Sequence, residues 1–176
     1  ELARFDAGTV TLDRQEVDLN AMLSRLVRNL RLRAEEAGID LTLAVDGLPA
    51  YWGDPDRLAQ VFSNILDNAL KYSPAGGEVK VAGSAVEGRI EIDISDDGPG
   101  IPEEEVPRVF DRFYQVDKSR AGDQQHSTGL GLAIAREIVQ AHGGELSLLS
   151  EVGLGSQFRV ILPRKEVEHN GMGRGS

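Results

Sequence analysis

Residues 78–100 read EVKVAGSAVEGRIEIDISDDGPG, and the alternation within them decides the fold. Val79 and Val81 alternate with charged neighbours, a Glu87-Gly88 turn follows, and Ile90, Ile92 and Ile94 then alternate strictly with Glu91, Asp93 and Ser95. This is the pattern of an antiparallel hairpin with one face buried. Carrying the alternation past Ile94 puts Asp96 on the apolar face and Asp97 with Glu91 and Asp93. A carboxylate aimed at a core is costly unless it meets hydrogen-bond donors. A purine amino group, helped by backbone or water, would supply them, and Gly98 and Gly100 let a flat base come close. The same letters also suit a plain turn, where Asp-Gly is common.

Upstream, Leu58, Val61, Phe62, Ile65, Leu66 and Ala69 keep the helical period, with Asp54 and Pro55 as Ncap and N1 and Pro74 just past the end. On that helix Asn64, Asn68 and Lys71 fall within about 60° of one another at 100° per residue, a polar stripe beside the apolar one. Asn is a mediocre helix former, so the spacing suggests a use beyond solvation. Amide oxygens ligate hard cations such as Mg²⁺, and a nearby Lys adds charge for an anion. A merely solvated face is the plainer alternative. Further upstream, Leu19, Met22, Leu23, Leu26, Val27 and Leu30 predict a helix stopped by Gly38, and Ile39, Leu41, Leu43 and Val45 a half-buried strand.

Downstream, an irregular stretch leads to a helix from about Leu130 to Ala141, ended by Gly143-Gly144, and then to strands around Leu146–Leu149 and Phe158–Leu162. Before that helix, Thr128-Gly129-Leu130-Gly131-Leu132 sets glycines at a helix start, whose unpaired N–H groups and dipole attract phosphate. Close packing against a neighbour would also need small residues there. The spacing matches neither the usual phosphate loop nor the dinucleotide fingerprint. Hairpins mixed with crossover helices make an α+β chain, a two-layer sandwich with three helices on one face of a mixed five-stranded sheet. The other sheet face must then tolerate water.

The 176 residues fit one domain, and with 40% hydrophobic and 27% charged residues the chain should fold. With no cysteine, a disulfide framework, a thiolate zinc site and a thiol nucleophile are excluded, and a reducing compartment is permitted. No apolar run approaches the roughly 18 residues of a membrane span. The net charge of −10 disfavours nucleic acid and anionic membrane surfaces, and no local basic patch stands out against it. Residues 166–176 read as a tail.

Taken in order, the motifs resemble the ATP-binding catalytic domain of bacterial sensor histidine kinases, a branch of the superfamily that includes type II topoisomerase and heat-shock chaperone ATPases. NILDNALKY (Asn64–Tyr72) looks like its asparagine box, DDGPGIP (Asp96–Pro102) and TGLGLAI (Thr128–Ile134) like its two glycine boxes, VFDRFYQ (Val109–Gln115) like its phenylalanine box, and VGLGSQF (Val152–Phe158) like its closing glycine turn. The resemblance implies a Bergerat-type ATP-binding fold with a mostly antiparallel sheet, and a site that takes ATP and Mg²⁺. Asp96 would accept the adenine amino group. Asn68, with Asn64, would hold Mg²⁺, and Asn64 and Lys71 would help orient the phosphates in catalysis. Gly129 and Gly131, with Thr128, Leu130 and Leu132, would bring helix-start amides to them. Tyr72, Gly98, Gly100 and Ile101 would flank the nucleotide, and Phe110 and Phe113 would anchor a lid over residues 115–127 or serve as ordinary core.

Gln115 stands where many relatives place an Arg that reaches a terminal phosphate, with Lys118 and Arg120 as substitutes, and His126 and Ser127 precede Thr128 where small residues are usual. The family transfers the γ-phosphoryl group to a His on a dimerising helical hairpin, but His126, His142 and His169 lie in or after the nucleotide domain. The resemblance therefore implies a catalytic domain over residues 9–165, with residues 1–8 the remnant of that hairpin. Its partners would be the acceptor-His dimerisation domain of a homodimeric parent and a response regulator. It would act in the cytoplasm, without direct membrane contact. Three alternatives stand beside this: a stand-alone serine kinase of the anti-sigma type, a nucleotide-driven conformational ATPase, and a degenerate domain that binds only protein. The conformational ATPases use a Glu where this chain has Asn64, which cannot act as a base.

Overall fold

The computed structural model describes residues 10–114 and 129–164. In chain order these hold β1 (Gln15–Val17), α1 (Leu19–Glu36), β2 (Asp40–Ala44), β3 (Tyr51–Gly53), α2 (Pro55–Tyr72), β4 (Glu78–Val86), β5 (Arg89–Asp96), a 3₁₀ turn (Val106–Arg108), α3 (Gly131–Ala141), β6 (Glu145–Glu151) and β7 (Gly155–Pro163). Five strands form one sheet in the order β2-β4-β5-β7-β6, parallel only between β2 and β4. The expected hairpin is β4–β5, with Val81 opposite Ile94 and Ala85 opposite Ile90. The fold is the two-layer sandwich that the sequence predicts.

The helices cover the sheet face that carries Val79, Val81, Ile90, Ile92, Ile94, Phe158, Val160 and Leu162, all buried. Helix α2 is the centre of this layer, with Leu58, Val61, Phe62, Ile65, Leu66 and Ala69 fully enclosed. Each large side chain buried there contributes about 1.5–3 kcal/mol. Polar pairs hold the opposite, wetted face: Arg159 binds both oxygens of Asp93, its cross-strand partner, at 2.8 and 3.1 Å. Among the described residues no helix is long and apolar enough to cross a membrane.

Two features of the layer depart from the sequence reading. Strands β1 and β3 pair as a separate two-stranded ribbon, Gln15 opposite Gly53 and Val17 opposite Tyr51. Three residues are too few for an alternation to register. Helix α1 also displays Arg25, Arg28 and Arg31 along its exposed side. They stand at i, i+3 and i+6 in the stretch RLVRNLR, and the helix lines them up into a local basic surface, which corrects the expectation that none stands out.

The ribbon seats a contact between helix ends. The Asp54 side chain caps α2 by accepting the Arg57 N–H at 3.1 Å and ties in the ribbon by accepting the Asp13 N–H at 2.9 Å. Its own N–H donates to Nε2 of the buried His142 at 3.1 Å, while Nδ1 of that ring lies 2.8 Å from the Ile138 carbonyl. His142 closes the C-terminus of α3, so one neutral ring joins the end of α3 to the start of α2. Burial lowers its pKa, with Arg14 acting the same way and the Ile138 carbonyl and Asp54 carboxylate opposing. Protonation would put a second N–H where an acceptor is needed.

The unfolded chain takes up this proton near pH 6.5 while the folded chain resists it, so stability falls as pH drops through that region. The slope contributed by His142 reaches at most about 1.4 kcal/mol per pH unit. Denaturant unfolding of the wild type and His142→Gln between pH 7.5 and 5.5 reads it directly: the stability gap between them should shrink on acidification, and parallel curves would refute the assignment.

Candidate functional site

Asp96 ends β5 on the helix-covered face and is 8% exposed. Its Oδ1 accepts the Gly98 N–H at 2.8 Å, and the Ser156 backbone N–H donates to the carboxylate as well. Burial nonetheless raises its pKa, more than these donors lower it. A buried carboxylate short of donors is poised to accept from a ligand. Asp97 points the other way, is exposed, and accepts the Glu78 N–H at 2.8 Å, a structural role at the start of β4.

The loop after Asp96 is held by close backbone approach. A side chain at Gly98 would reach 2.8 Å from Asp96 Oδ1 and 3.2 Å from the Tyr72 carbonyl, and one at Gly100 would overlap the Glu151 carbonyl. Ile101 is half-buried and donates its N–H to Ser150 Oγ at 2.7 Å. The loop is thus wedged between the C-terminal end of α2 and the β6–β7 hairpin.

Asn64, Asn68 and Lys71 are all half-buried along α2. Asn64 Nδ2 donates to the Gly131 carbonyl at 3.0 Å, so its amide nitrogen fixes the first turn of α3. Burial lowers the Lys71 pKa, and its ammonium lies 5.1 Å from the centroid of the Tyr72 ring.

No side chain caps the N-terminus of α3, whose Ncap is Leu130, and the first amide bond back to that residue comes from Ile134 at 2.9 Å. The N–H groups of Gly131, Leu132 and Ala133 therefore point out of the helix end without partners in its ladder. Gly129, just before, has φ +69°, and a Cβ there would sit 2.8 Å from the Phe113 carbonyl carbon. Phe113 donates its N–H to the Gly129 carbonyl at 3.0 Å. Thr128, and with it Gln115, Lys118, Arg120, His126 and Ser127, lies outside the described residues.

The two phenylalanines part company. Phe110 is half-buried, edge-on to Phe158 with centroids 6.2 Å apart and with the Arg136 guanidinium 5.4 Å from its ring. Phe113 is 67% exposed at φ +65°, a conformation rare for a bulky side chain. The core alternative therefore holds for Phe110 and fails for Phe113. Two serines escaped the sequence reading as site residues, Ser156 opposite Asp96 and Ser150 opposite Ser156. Strand alternation held the signal, since Ser150 shares a face with Leu146 and Leu148.

Comparison with known proteins gives a consistent answer. A family model described as "Histidine kinase-, DNA gyrase B-, and HSP90-like ATPase" matches residues 53–166. The sensor protein SrrB of Staphylococcus aureus is 34% identical over 165 residues, which are 94% of this chain and 28% of that protein. The chain thus spans little more than a quarter of such a relative. The crystal structure of full-length ShkA in complex with AMPPNP superposes with a TM-score of 0.80 at 32% identity, covering 92% of this chain and 33% of that one. The mycobacterial sensor histidine kinase MprB gives 0.70 at 32% identity, covering 85% and 97%.

Proposed function

Because the chain belongs to the histidine kinase-, DNA gyrase B- and HSP90-like ATPase family, we propose that it is the catalytic domain of a two-component sensor histidine kinase, binding Mg·ATP and donating the γ-phosphoryl group to a His outside these residues. The observation that carries this reading is Asp96, a buried carboxylate with unused acceptor capacity, on the same helix-covered face as the polar stripe of α2 and the uncapped start of α3. Its carboxylate accepts from the adenine amino group. The α3 amides and Lys71 receive the phosphates, and Asn64 holds the α3 terminus in place through Gly131.

The donor set fits magnesium: the Asn68 amide oxygen, with Asn64 beside it, is a hard ligand on a face shared with Lys71 and phosphate. When bound, the ion neutralises phosphate charge as the phosphoryl group leaves. Tyr72, Gly98, Gly100 and Ile101 form the base surround. Transfer needs the acceptor imidazole in line with the γ-phosphate, so this chain alone should turn ATP over slowly. The kinase is proposed to dimerise through the acceptor hairpin and to pass phosphoryl groups to a response regulator.

Calorimetric titration with ATP, ADP and GTP, with and without Mg²⁺, tests the site before the chemistry. Adenine-selective binding that strengthens with Mg²⁺ is expected, as is phosphohistidine when an acceptor hairpin is added in trans. A folded sample that binds neither ATP nor ADP would overturn the reading in favour of a protein-binding domain.

A further inference from the structure

The register across β5, β7 and β6 places Asp96, Ser156 and Ser150 in one row on the helix-covered face. The next rows on that face are Ile94, Phe158, Leu148 and then Ile92, Val160, Leu146. A single polar row thus replaces aliphatic packing at the end of the sheet where Asp96 stands.

Within this row the hydrogen count fixes direction. Ser150 Oγ accepts the Ile101 N–H at 2.7 Å, lies 3.0 Å from the Gly155 carbonyl and 2.8 Å from Ser156 Oγ. It has one hydrogen to give. The Gly155 oxygen can only accept, so that hydrogen goes there, and the contact between the serines is then donated by Ser156. The reverse arrangement would take the Ser150 hydrogen from Gly155 and break a bond that the first arrangement keeps. The Ser156 hydroxyl hydrogen is therefore committed to Ser150, and among the described residues the Asp96 carboxylate is bonded by the backbone N–H groups of Gly98 and Ser156.

We propose that Ser150 is a positioning residue for base selection: by drawing the Ser156 hydroxyl hydrogen to itself, it keeps the Asp96 end of the row acceptor-only, matched to a 6-aminopurine and opposed to a 6-oxopurine. Ser150 touches no ligand. It acts through Ser156 and through the amide of Ile101, which it pins against the β6–β7 hairpin. Without its oxygen, the Ser156 hydroxyl loses that acceptor, and Asp96, its cross-strand partner in the same row, offers another; a bond there competes with the adenine amino group for the remaining lone pairs of the carboxylate. This rests on the adenine-nucleotide reading above.

The test compares ATP with ITP, its 6-oxo counterpart, by calorimetry on the wild type, Ser150→Ala, Ser150→Thr and the double variant Ser150→Ala/Ser156→Ala. Ser150→Ala should weaken ATP by about tenfold, the size of one hydrogen bond, and narrow the ATP-to-ITP ratio by a similar factor. Ser150→Thr, which keeps the hydroxyl, should retain both. The double variant should regain ATP affinity over the single one, because the competing hydroxyl is gone. Equal losses for ATP and ITP, additive losses in the double variant, or no loss at all would each overturn the proposal. A wild type that does not prefer ATP would overturn the adenine reading itself, a result seen before any variant is made.

Discussion

Replacing Asp96 by Asn should lower ATP affinity by about a hundredfold or more while leaving the fold intact. A hydrogen bond to a charged acceptor is worth about 1.5–3 kcal/mol, and here the loss is compounded by geometry. One oxygen already takes the Gly98 N–H, and the Ser156 N–H donates to the same carboxylate. If the Asn oxygen stays with Gly98, its amide N–H₂ faces the Ser156 N–H and the adenine amino group, donors against donors. If it turns, the Gly98 N–H loses its partner. The fold should persist, because burial already raises the Asp96 pKa, the mark of a carboxylate held at some cost, and removing the charge offsets part of the backbone bond that the amide gives up. Calorimetry should find ATP binding weakened by about a hundredfold or more, and thermal unfolding a cooperative transition with a midpoint close to the wild type's. Wild-type ATP affinity in the Asn protein would overturn the adenine assignment.

The same shift sets a pH dependence. Only the ionised carboxylate accepts from the amino group without giving up a lone pair to a proton. Its raised pKa means that ATP affinity should begin to fall, on acidification, at higher pH than an ordinary carboxylate near 3.8 would allow. Titrations between pH 7.5 and 5 read this as the difference between the wild type and the Asn variant, which keeps the pH dependence of the ligand's own phosphates but not that of Asp96.

Asp96 was legible in the sequence because strand alternation carries a side chain's face without knowledge of its neighbours, and three isoleucines fixed the phase. The stripe on α2 was legible for the same reason at helical period. What alternation cannot carry is direction within a contact. Asn64 reads as a ligand, yet its amide nitrogen serves the Gly131 carbonyl, 67 residues away. His142 reads as one more residue after a helix, and its bond to the Asp54 N–H spans 88 residues. The left-handed Phe113 has no sequence signature, since the partner of its N–H, the Gly129 carbonyl, lies far along the chain. Local period gives faces, and long-range pairing assigns the work done on them.

Within the glycine turn that closes the sheet, Gly155 should tolerate a side chain far less than Gly153 does. Gly153 and Gly155 both have positive φ, +86° and +112°, in the same β6–β7 turn, but their surroundings differ. A Cβ at Gly153 would meet nothing within 4 Å, so Gly153→Ala should cost only the backbone strain of an L-residue there, about 1–2 kcal/mol. A Cβ at Gly155 would overlap the Asp96 carbonyl oxygen and crowd Asp97 Cα at 3.3 Å. Those atoms are backbone of the neighbouring central strand and cannot swing aside as a side chain could. Relief requires parting β7 from β5 where Asp96 pairs with Ser156, which also pulls apart the row on which Asp96 and Ser150 depend. Gly155→Ala should therefore cost about 4 kcal/mol or more, and ATP affinity should fall with it because Asp96 loses the Ser156 N–H. Denaturant unfolding of the two alanine variants separates strain from collision. Equal costs at the two glycines would mean that the strands yield freely, and the close approach at Asp96 would then have no part in shaping the site.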